Sequence, residues 1–153
     1  MGNLKFDVSL QVAQVDDVAE LRELVRSYHA FEGVSCPGGD IDAAVSPLLG
    51  ESDLGRCWMI RADEVTVGYV AICFGYSIEF GGRDAFVDEM YISEQYRGQG
   101  IGTEVLRLLK SESLALGVKA LHFEVSCDNE RAQRLYEKSG FTAREQFFLM
   151  SAR

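Results

Sequence analysis

The amino-acid sequence predicts an α/β protein of the α+β kind, with a mixed and largely antiparallel sheet in a single domain spanning residues 1–153. Its length suits one domain with a proper hydrophobic core, and no repeat or low-complexity run interrupts it. Along the chain, short segments with the pattern of strands alternate with segments that have the pattern of amphipathic helices. Hairpins come first and one strand–helix–strand unit comes late, so both antiparallel and parallel pairing are expected.

The N-terminal part is predicted to hold one strand and two helices. Residues 4–12 alternate polar and apolar side chains in the way of a half-buried strand. Asp17 is the expected N-cap of the first helix, in a capping box with the glutamate three residues later, and Gly33 ends that helix. Asp40 is the expected N-cap of a short second helix, and Pro47 is expected to disturb the last turn of that helix.

Strand patterns dominate the middle of the chain, and two more helices follow. The further strands are predicted at residues 56–62, 65–74, 85–92 and 120–125, with a closing strand at residues 147–150. A long helix begins near Ile101 and ends at Gly117. Another is capped by Asp128 or Asn129 and ends at Gly140. The predicted order is therefore β-α-α-β-β-β-α-β-α-β.

Composition and charge exclude several classes of function. The formal net charge of −9 would repel nucleic acid phosphates, and no cluster of Lys and Arg offsets it. No run of about 18 apolar residues is present, and the N-terminus lacks a signal-type segment. Cys36, Cys57, Cys73 and Cys127 are spaced unlike a zinc site or a disulfide scaffold. We expect a cytoplasmic protein with reduced thiols and no metal, nucleic acid or membrane partner.

The glycine loop, residues 97–102 with the sequence Arg-Gly-Gln-Gly-Ile-Gly, lies between a predicted strand and a predicted helix. Alternate glycines allow a tight turn that exposes successive N–H groups at a helix start, where a pyrophosphate binds well. The pattern lacks the Gly-Lys-Ser/Thr of a P-loop, and its GxGxG spacing differs from the dinucleotide fingerprint. Taken alone, it leaves a plain tight turn as the alternative to a phosphate site.

The glycine loop resembles the acyl-CoA loop of the GNAT superfamily of N-acetyltransferases, written Q/R-x-x-G-x-G/A. Residues 88–92, Asp-Glu-Met-Tyr-Ile, resemble the strand before that loop, and residues 129–141 resemble the second cofactor segment. Some likeness to spermidine/spermine acetyltransferases is also present. The resemblance implies a GNAT fold with a central β-α-β cofactor unit and acetyl-CoA as co-substrate without a metal. It further implies an amine acceptor and a homodimer.

The resemblance also implies which residues hold the cofactor. The backbone of residues 90–92 pairs with the pantetheine arm, and the amides of residues 98–103 hold the pyrophosphate. Asn129 bonds the cofactor arm, Ala132 leaves room for it, and Tyr136 meets the sulfur. The implied cofactor-binding residues are Met90, Tyr91, Ile92, Arg97, Gly98, Gln99, Gly100, Ile101, Gly102, Thr103, Asn129, Ala132 and Tyr136.

Acetyl transfer to an amine sets further chemical requirements. An alkyl ammonium, with a pKa of about 10.4, must lose a proton before its nitrogen attacks. Asp88 and Glu89 are the candidate bases, and strand alternation sends them to opposite faces. Asp88 matches the acidic position that resembles the base of the spermidine/spermine enzymes, while a solvated or salt-bridged role stays open for both. The Met90 amide is the candidate oxyanion donor, and Tyr136 is the candidate acid.

The end of the first helix is where the resemblance implies the acceptor pocket, with Tyr28 and Glu32 as candidate substrate residues. His29 stands where the polyamine pattern has an acid, which argues against a polyamine, and Tyr28 fits plain core packing equally well. His122 lies in an apolar strand and is predicted to be structural. Cys127 lacks a nearby base and is not predicted to be a nucleophile.

The function predicted from the sequence is an acyl-CoA-dependent N-acetyltransferase. It would act on a small amine or a peptide amino group by direct transfer in a ternary complex. The alternative is a non-catalytic acyl-CoA-binding regulatory module with the same fold. The acidic pair and Tyr136 favour the enzyme, because a binding module needs neither a base nor an acid.

Overall fold

A computed structural model describes residues 4–34, 36 and 39–153 of the chain. Five strands and four helices follow one another in the predicted order, apart from the last predicted strand. Their bounds are β1 Val8–Val12, α1 Val18–Glu32, α2 Ile41–Val45, β2 Gly55–Ala62, β3 Val65–Ser77, β4 Gly82–Ile92, α3 Ile101–Ala115, β5 Ala120–Phe123 and α4 Glu130–Lys138. Within these described ranges, no helix has both the length and the apolar composition needed to cross a bilayer.

The strands form one mixed sheet in the order β1-β2-β3-β4-β5. The first four pair antiparallel. The pairs β2-β3 and β3-β4 are hairpins, as predicted, whereas β1 and β2 are joined through α1 and α2. Helix α3 crosses over from β4, and β5 pairs parallel to β4. This β4-α3-β5 unit confirms the predicted strand–helix–strand unit, and it lies at one edge of the sheet rather than at its centre.

Each face of the sheet carries its own apolar core. On one face α3 packs its buried residues Val105 and Leu109 against strand residues such as Ile72 and Val87. On the other face α1 and α2 cover the sheet, and Leu21 and Val25 of α1 pack there against Met59, Tyr69 and Ala71. Burial of these apolar faces fixes both helix layers on the sheet.

The beginning of α1 differs from the sequence prediction. A single 3₁₀ turn over Val15–Asp17 precedes the helix, and the Asp17 carboxylate accepts a hydrogen bond from the Gln14 N–H at 2.8 Å. Asp17 therefore caps the turn and makes no side-chain cap to α1. The second helix follows the prediction, because the Asp40 carboxylate accepts from the Ala43 N–H.

The predicted closing strand at residues 147–150 is wrong. These residues are irregular and exposed, with Phe148 at 89% and Met150 at 90%. A turn bonds the Phe147 N–H to the Arg144 carbonyl, and Arg144 pairs with Glu79 at 3.1 Å. A strand needs a neighbouring strand to satisfy its backbone, and within the described part of the chain nothing pairs with this apolar run.

Candidate active site

A cleft opens where β4 and β5 separate. Their parallel pairing runs from Asp84↔Ala120 to Val87↔Phe123 and ends there, while β4 continues to Ile92. A cavity of about 470 Å³ fills the gap. The predicted site residues that line it are Tyr28, Glu32, Asp88, Met90, Tyr91, Ile92, Arg97, Gly98, Gly100, Gly102, Thr103, Asn129, Ala132 and Tyr136.

One edge of the β4 backbone is turned toward the cleft. The Ser93 N–H donates to the Val67 carbonyl at 2.8 Å, and the antiparallel register continues from there through Tyr91↔Tyr69. Along a strand in an antiparallel pair, residues whose N–H and C=O groups bond to the neighbouring strand alternate with residues whose N–H and C=O groups point away from it. The N–H and C=O groups of Met90 and Ile92 therefore face the cleft, whereas those of Tyr91 face β3.

The glycine loop closes one end of the cleft at the start of α3. Gly98 and Gly100 have φ angles of +73° and +84°, which a residue with a Cβ adopts only under strain. The predicted Gln99 and Ile101 do not line the cavity. The Gln99 side chain donates to the Gln95 carbonyl, and Ile101 is buried in the core at 1% exposure. Only the backbone amides of these two residues are left for a ligand.

Two arginines stand beside the glycine loop. The Arg97 Nε donates to the Ile92 carbonyl at 2.8 Å, and its guanidinium lies 4.6 Å from the Phe31 ring centroid. Arg131 on α4 also lines the cleft, and a Cβ built on Gly98 would stand 3.6 Å from its Nη2. The cleft therefore has a cationic end, although the chain as a whole is acidic.

Helix α4 forms the opposite wall, and Asn129 sets its first turn. The Asn129 Oδ1 accepts from the Ala132 N–H at 3.1 Å, so Asn129 rather than Asp128 is the N-cap. Tyr136 lies two turns further along and stacks on Phe123 at 4.2 Å between ring centroids. Burial, and then the charge of Glu32, raise the pKa of the Tyr136 phenol, so this group stays protonated at neutral pH.

Acidic and aromatic side chains also line the cleft. They include Tyr28 and Glu32 of α1, Asp88 of β4 and Glu124 beyond β5. Burial, and then the charge of Glu32, raise the pKa of Tyr28 to about 12. The Tyr28 ring also packs edge-on against Tyr69 at 6.3 Å, so it serves the core and lines the cleft at the same time.

A β-bulge separates the two candidate bases. Ala71 pairs with Glu89 and Ile72 pairs with Val87, which leaves Asp88 as the extra residue of β4. Asp88 lines the cleft, while Glu89 faces a smaller cavity on the α1 side of the sheet. Burial, and then the charges of Glu89 and Glu124, raise the pKa of Asp88. Its carboxyl is thus a stronger base than an aspartate of ordinary pKa.

Sequence reasoning missed a second group of residues that line the cleft. They are Phe31, Val87, Tyr96, Phe123, Glu124, Val125, Ser126, Arg131 and Leu135. Phe123 ends β5 and residues 124–126 follow it directly, and the end of a parallel strand is where ligands bind in such sheets. That rule could have found them. Arg131 carries no such signal, because helix geometry alone turns it toward the glycine loop.

Two residues interpreted as structural lie outside the cleft. The His122 Nε2 donates to Asp84 at 3.1 Å, and its ring packs 4.9 Å from Phe86. Cys127 is exposed and does not line the cleft. Among the residues that the structure describes, no cluster of three His, Cys, Asp or Glu side chains could hold a metal ion.

A protein-family model described as the acetyltransferase (GNAT) family matches residues 19–141. This range includes the glycine loop, the bulge and most of the cleft. The chain belongs to the GNAT acetyltransferase family. With its GNAT relatives, this membership makes the chain an acyl-CoA-dependent N-acetyltransferase.

Individual GNAT relatives carry more specific names. Thialysine N-epsilon-acetyltransferase of Bos taurus is 35% identical over 142 residues, which cover 87% of this chain and 83% of that protein. Spermidine/spermine N(1)-acetyltransferase-like protein 1 of Homo sapiens is 23% identical over 139 residues, 84% of this chain and 19% of that protein. A solved structure of AAC(6')-Iy, in complex with the bisubstrate analogue CoA-S-monomethyl-acetylneamine, has the same fold. Its TM-score is 0.75 at 16% sequence identity, and the match covers 96% of this chain and 99% of that chain.

Proposed function

We propose that this chain transfers the acetyl group of acetyl-CoA to a primary amine, a small amine or a peptide amino group, by direct transfer in a ternary complex. One observation carries the proposal. A single cleft is lined by a phosphate-type helix start, by the edge of β4 and by a carboxyl of raised pKa. A phosphate-bearing thioester and an amine that must be deprotonated need these groups in one site.

The cleft fits the shape and charge of acetyl-CoA. The loop amides at the start of α3 and the guanidinium groups of Arg97 and Arg131 would hold the phosphates. The exposed edge of Met90 and Ile92 would bond the amide-containing arm as a neighbouring strand does. Asn129 would contact the same arm from α4. The CoA-based bisubstrate analogue bound to AAC(6')-Iy, which shares this fold, supports this choice of donor.

Three groups of the chain have roles in the chemical step. Bound acetyl-CoA supplies an activated acetyl group and a thiolate leaving group. Asp88 accepts the proton that the ammonium must lose, so the free amine forms the N–C bond while the C–S bond breaks. The Met90 N–H stabilises the charge that develops on the carbonyl oxygen. Tyr136 protonates the departing sulfur and is reprotonated by the second proton that the nitrogen loses as it becomes an amide. The proton held by Asp88 leaves to solvent, so one proton is released for each amide formed.

The acceptor that suits the acidic side chains of the cleft is a cation. Glu32, Asp88 and Glu124 add negative charge to the lining, and the Tyr28 ring offers a face to an ammonium group. The names of the relatives agree, because thialysine and spermidine both carry primary ammonium groups. We therefore propose small cationic amines ahead of neutral ones.

Replacement of the candidate acid tests the chemical step. We expect Tyr136→Phe to lower kcat by roughly tenfold to a hundredfold, because the sulfur would leave as an unprotonated thiolate. The affinity for acetyl-CoA should stay nearly unchanged, since the stacking on Phe123 remains. Steady-state kinetics with binding calorimetry would measure both. An unaltered kcat would remove Tyr136 from the mechanism.

The alternative is a non-catalytic acyl-CoA-binding module. An assay of free-thiol release separates the two, with acetyl-CoA and a panel containing thialysine, spermidine, a neutral primary amine and a peptide with a free N-terminus. The enzyme should release thiol with at least one cationic amine. Tight CoA binding without release across the panel would favour the module.

We further propose that the protein is a cytoplasmic homodimer built from one domain per chain. In the described residues, β5 has no strand on its outer side, and Phe148 and Met150 near the end of the chain are almost fully exposed. Free strand edges and exposed apolar runs both favour association. We expect light scattering to give twice the mass of one chain.

A matched pair of variants tests this dimer. Phe148→Asp should return the protein to the mass of one chain. Val15→Asp, at an exposed apolar residue before α1, should leave the dimer intact. A wild-type protein with the mass of one chain at micromolar concentration would contradict the dimer.

A further inference from the structure

The Glu89 carboxylate is fully engaged by two neighbours. The His29 Nε2 donates to one oxygen at 2.6 Å, and the Tyr69 hydroxyl donates to the other at 2.7 Å. Tyr69 is 1% exposed, and the side chains of His29 and Glu89 are 16% and 22% exposed. Both carboxylate oxygens of Glu89 therefore already accept hydrogen bonds from protein donors.

The surroundings of Glu89 also differ from those of a substrate-facing base. Its small cavity, of about 100 Å³, lies between α1, α2 and the sheet and is lined mostly by apolar side chains. Glu89 does not line the cleft between β4 and β5, whereas Asp88 lines both cavities. The bulge therefore places one acid toward the cleft and the other among the residues that support it.

The three bonded residues come from three different elements. His29 lies near the end of α1, Tyr69 lies in β3, and Glu89 follows the bulged residue of β4. Helix α1 also contributes Tyr28 and Glu32 to the wall of the cleft. A bond between α1 and the bulge therefore fixes the distance between that wall and Asp88.

The same residues set the electrostatic environment of Asp88. The negative charges of Glu89 and Glu124 raise its pKa, and the positive charge of His29 lowers it. Other titratable groups around Glu89 and Asp88 are Tyr69 and Cys73 on β3, Cys57 on β2 and Tyr28 on α1. Burial, ahead of the carboxylate charges, raises the pKa of each. All four stay neutral at physiological pH.

We propose that Glu89 is a positioning residue and not the base: it ties His29 of α1 and Tyr69 of β3 to the bulge of β4 and so holds Asp88 against the acceptor. The proposal rests on the proposed function, because it assigns the parts of one acetyl-transfer site. His29, which stands where the polyamine pattern has an acid, is the partner that joins α1 to this unit.

Substitutions with opposite effects on charge test the proposal. We expect Glu89→Gln to lower kcat by less than about tenfold, because the amide keeps the shape and can still accept from Tyr69. The acidic limb of the kcat/KM profile should move to lower pH, since Asp88 loses a negative neighbour. His29→Gln should move that limb to higher pH, since Asp88 loses a positive neighbour. If Glu89 and His29 served only to stabilise the fold, the acidic limb would stay at the wild-type pH in both variants.

Further variants separate positioning from folding. Glu89→Ala should lower kcat more than Glu89→Gln, and Tyr69→Phe should raise KM for the amine with little effect on acetyl-CoA affinity. Thermal melting and acetyl-CoA titration of every variant show that it is folded. If Glu89→Ala does not fold, Glu89→Gln and Tyr69→Phe still decide the matter.

Two results would overturn the proposal. One is a loss of a hundredfold or more in Glu89→Gln together with disappearance of the acidic limb, which would make Glu89 the base. The other is an acidic limb that stays in place in both Glu89→Gln and His29→Gln. A wild-type protein that releases no thiol with any amine refutes the proposed function itself, and this inference with it.

Discussion

Asp88→Asn should lower kcat/KM by at least about a hundredfold, because a general base contributes on the order of 10² to 10⁴ in rate. The raised pKa of Asp88 also predicts the form of the pH profile. The base works deprotonated, so wild-type activity falls as the pH drops through this pKa. The acidic limb should vanish in the variant, while acetyl-CoA binding stays intact because the phosphate end of the cleft is unchanged.

Asp84→Asn is the matched control for this substitution. Asp84 lies on the same strand and pairs with His122, away from the cleft. We expect its kcat/KM to stay within about threefold of wild type, as is usual for a change remote from the reacting atoms. Wild-type activity in Asp88→Asn would contradict the assignment of the base, and an equal loss in both variants would point to a general effect on the fold.

Gly100→Val should weaken acetyl-CoA binding by about tenfold to a hundredfold. Gly100 has a φ of +84°, and a Cβ there would approach Leu4 Cδ1 to 3.3 Å. A β-branched residue in this conformation costs of order 1–3 kcal/mol, so the loop is expected to rearrange and its amides to leave their positions. Titration calorimetry with acetyl-CoA measures the loss.

Gly117→Val separates backbone strain from the loss of the site. Gly117 lies beyond the other end of α3 with a φ of +78°, and an added Cβ there would contact nothing. Both variants should melt at a lower temperature, but only Gly100→Val should lose affinity. Normal acetyl-CoA binding by Gly100→Val would contradict the assignment of the glycine loop.

Much of this site follows from local sequence signals. The glycine loop, the Asn129 cap and the helix that carries Tyr136 each depend on residues close together in the chain, and the structure places all three around one cleft. Apolar periodicity likewise predicted the helices and the antiparallel strands, because helix and strand repeats differ along a single segment.

Features that depend on distant partners were not predictable. The bulge at Asp88 is a register shift against β3, and it is visible only once the two strands are paired. The Glu89 carboxylate accepts a hydrogen bond from His29, which lies sixty residues earlier in the chain. The run at residues 147–150 has strand-like composition, yet composition cannot supply a neighbouring strand.

The most direct test of the proposed activity follows the acetyl group itself. Purified protein would be given acetyl-CoA labelled in the acetyl group together with a cationic primary amine, and amine, free thiol and intact protein would be measured by mass spectrometry over time. We expect the label on the amine nitrogen, one free thiol for each amide, and no label on the protein. Saturable CoA binding without labelled amine would contradict acetyl transfer, and label retained on the protein before the amine is added would contradict direct transfer.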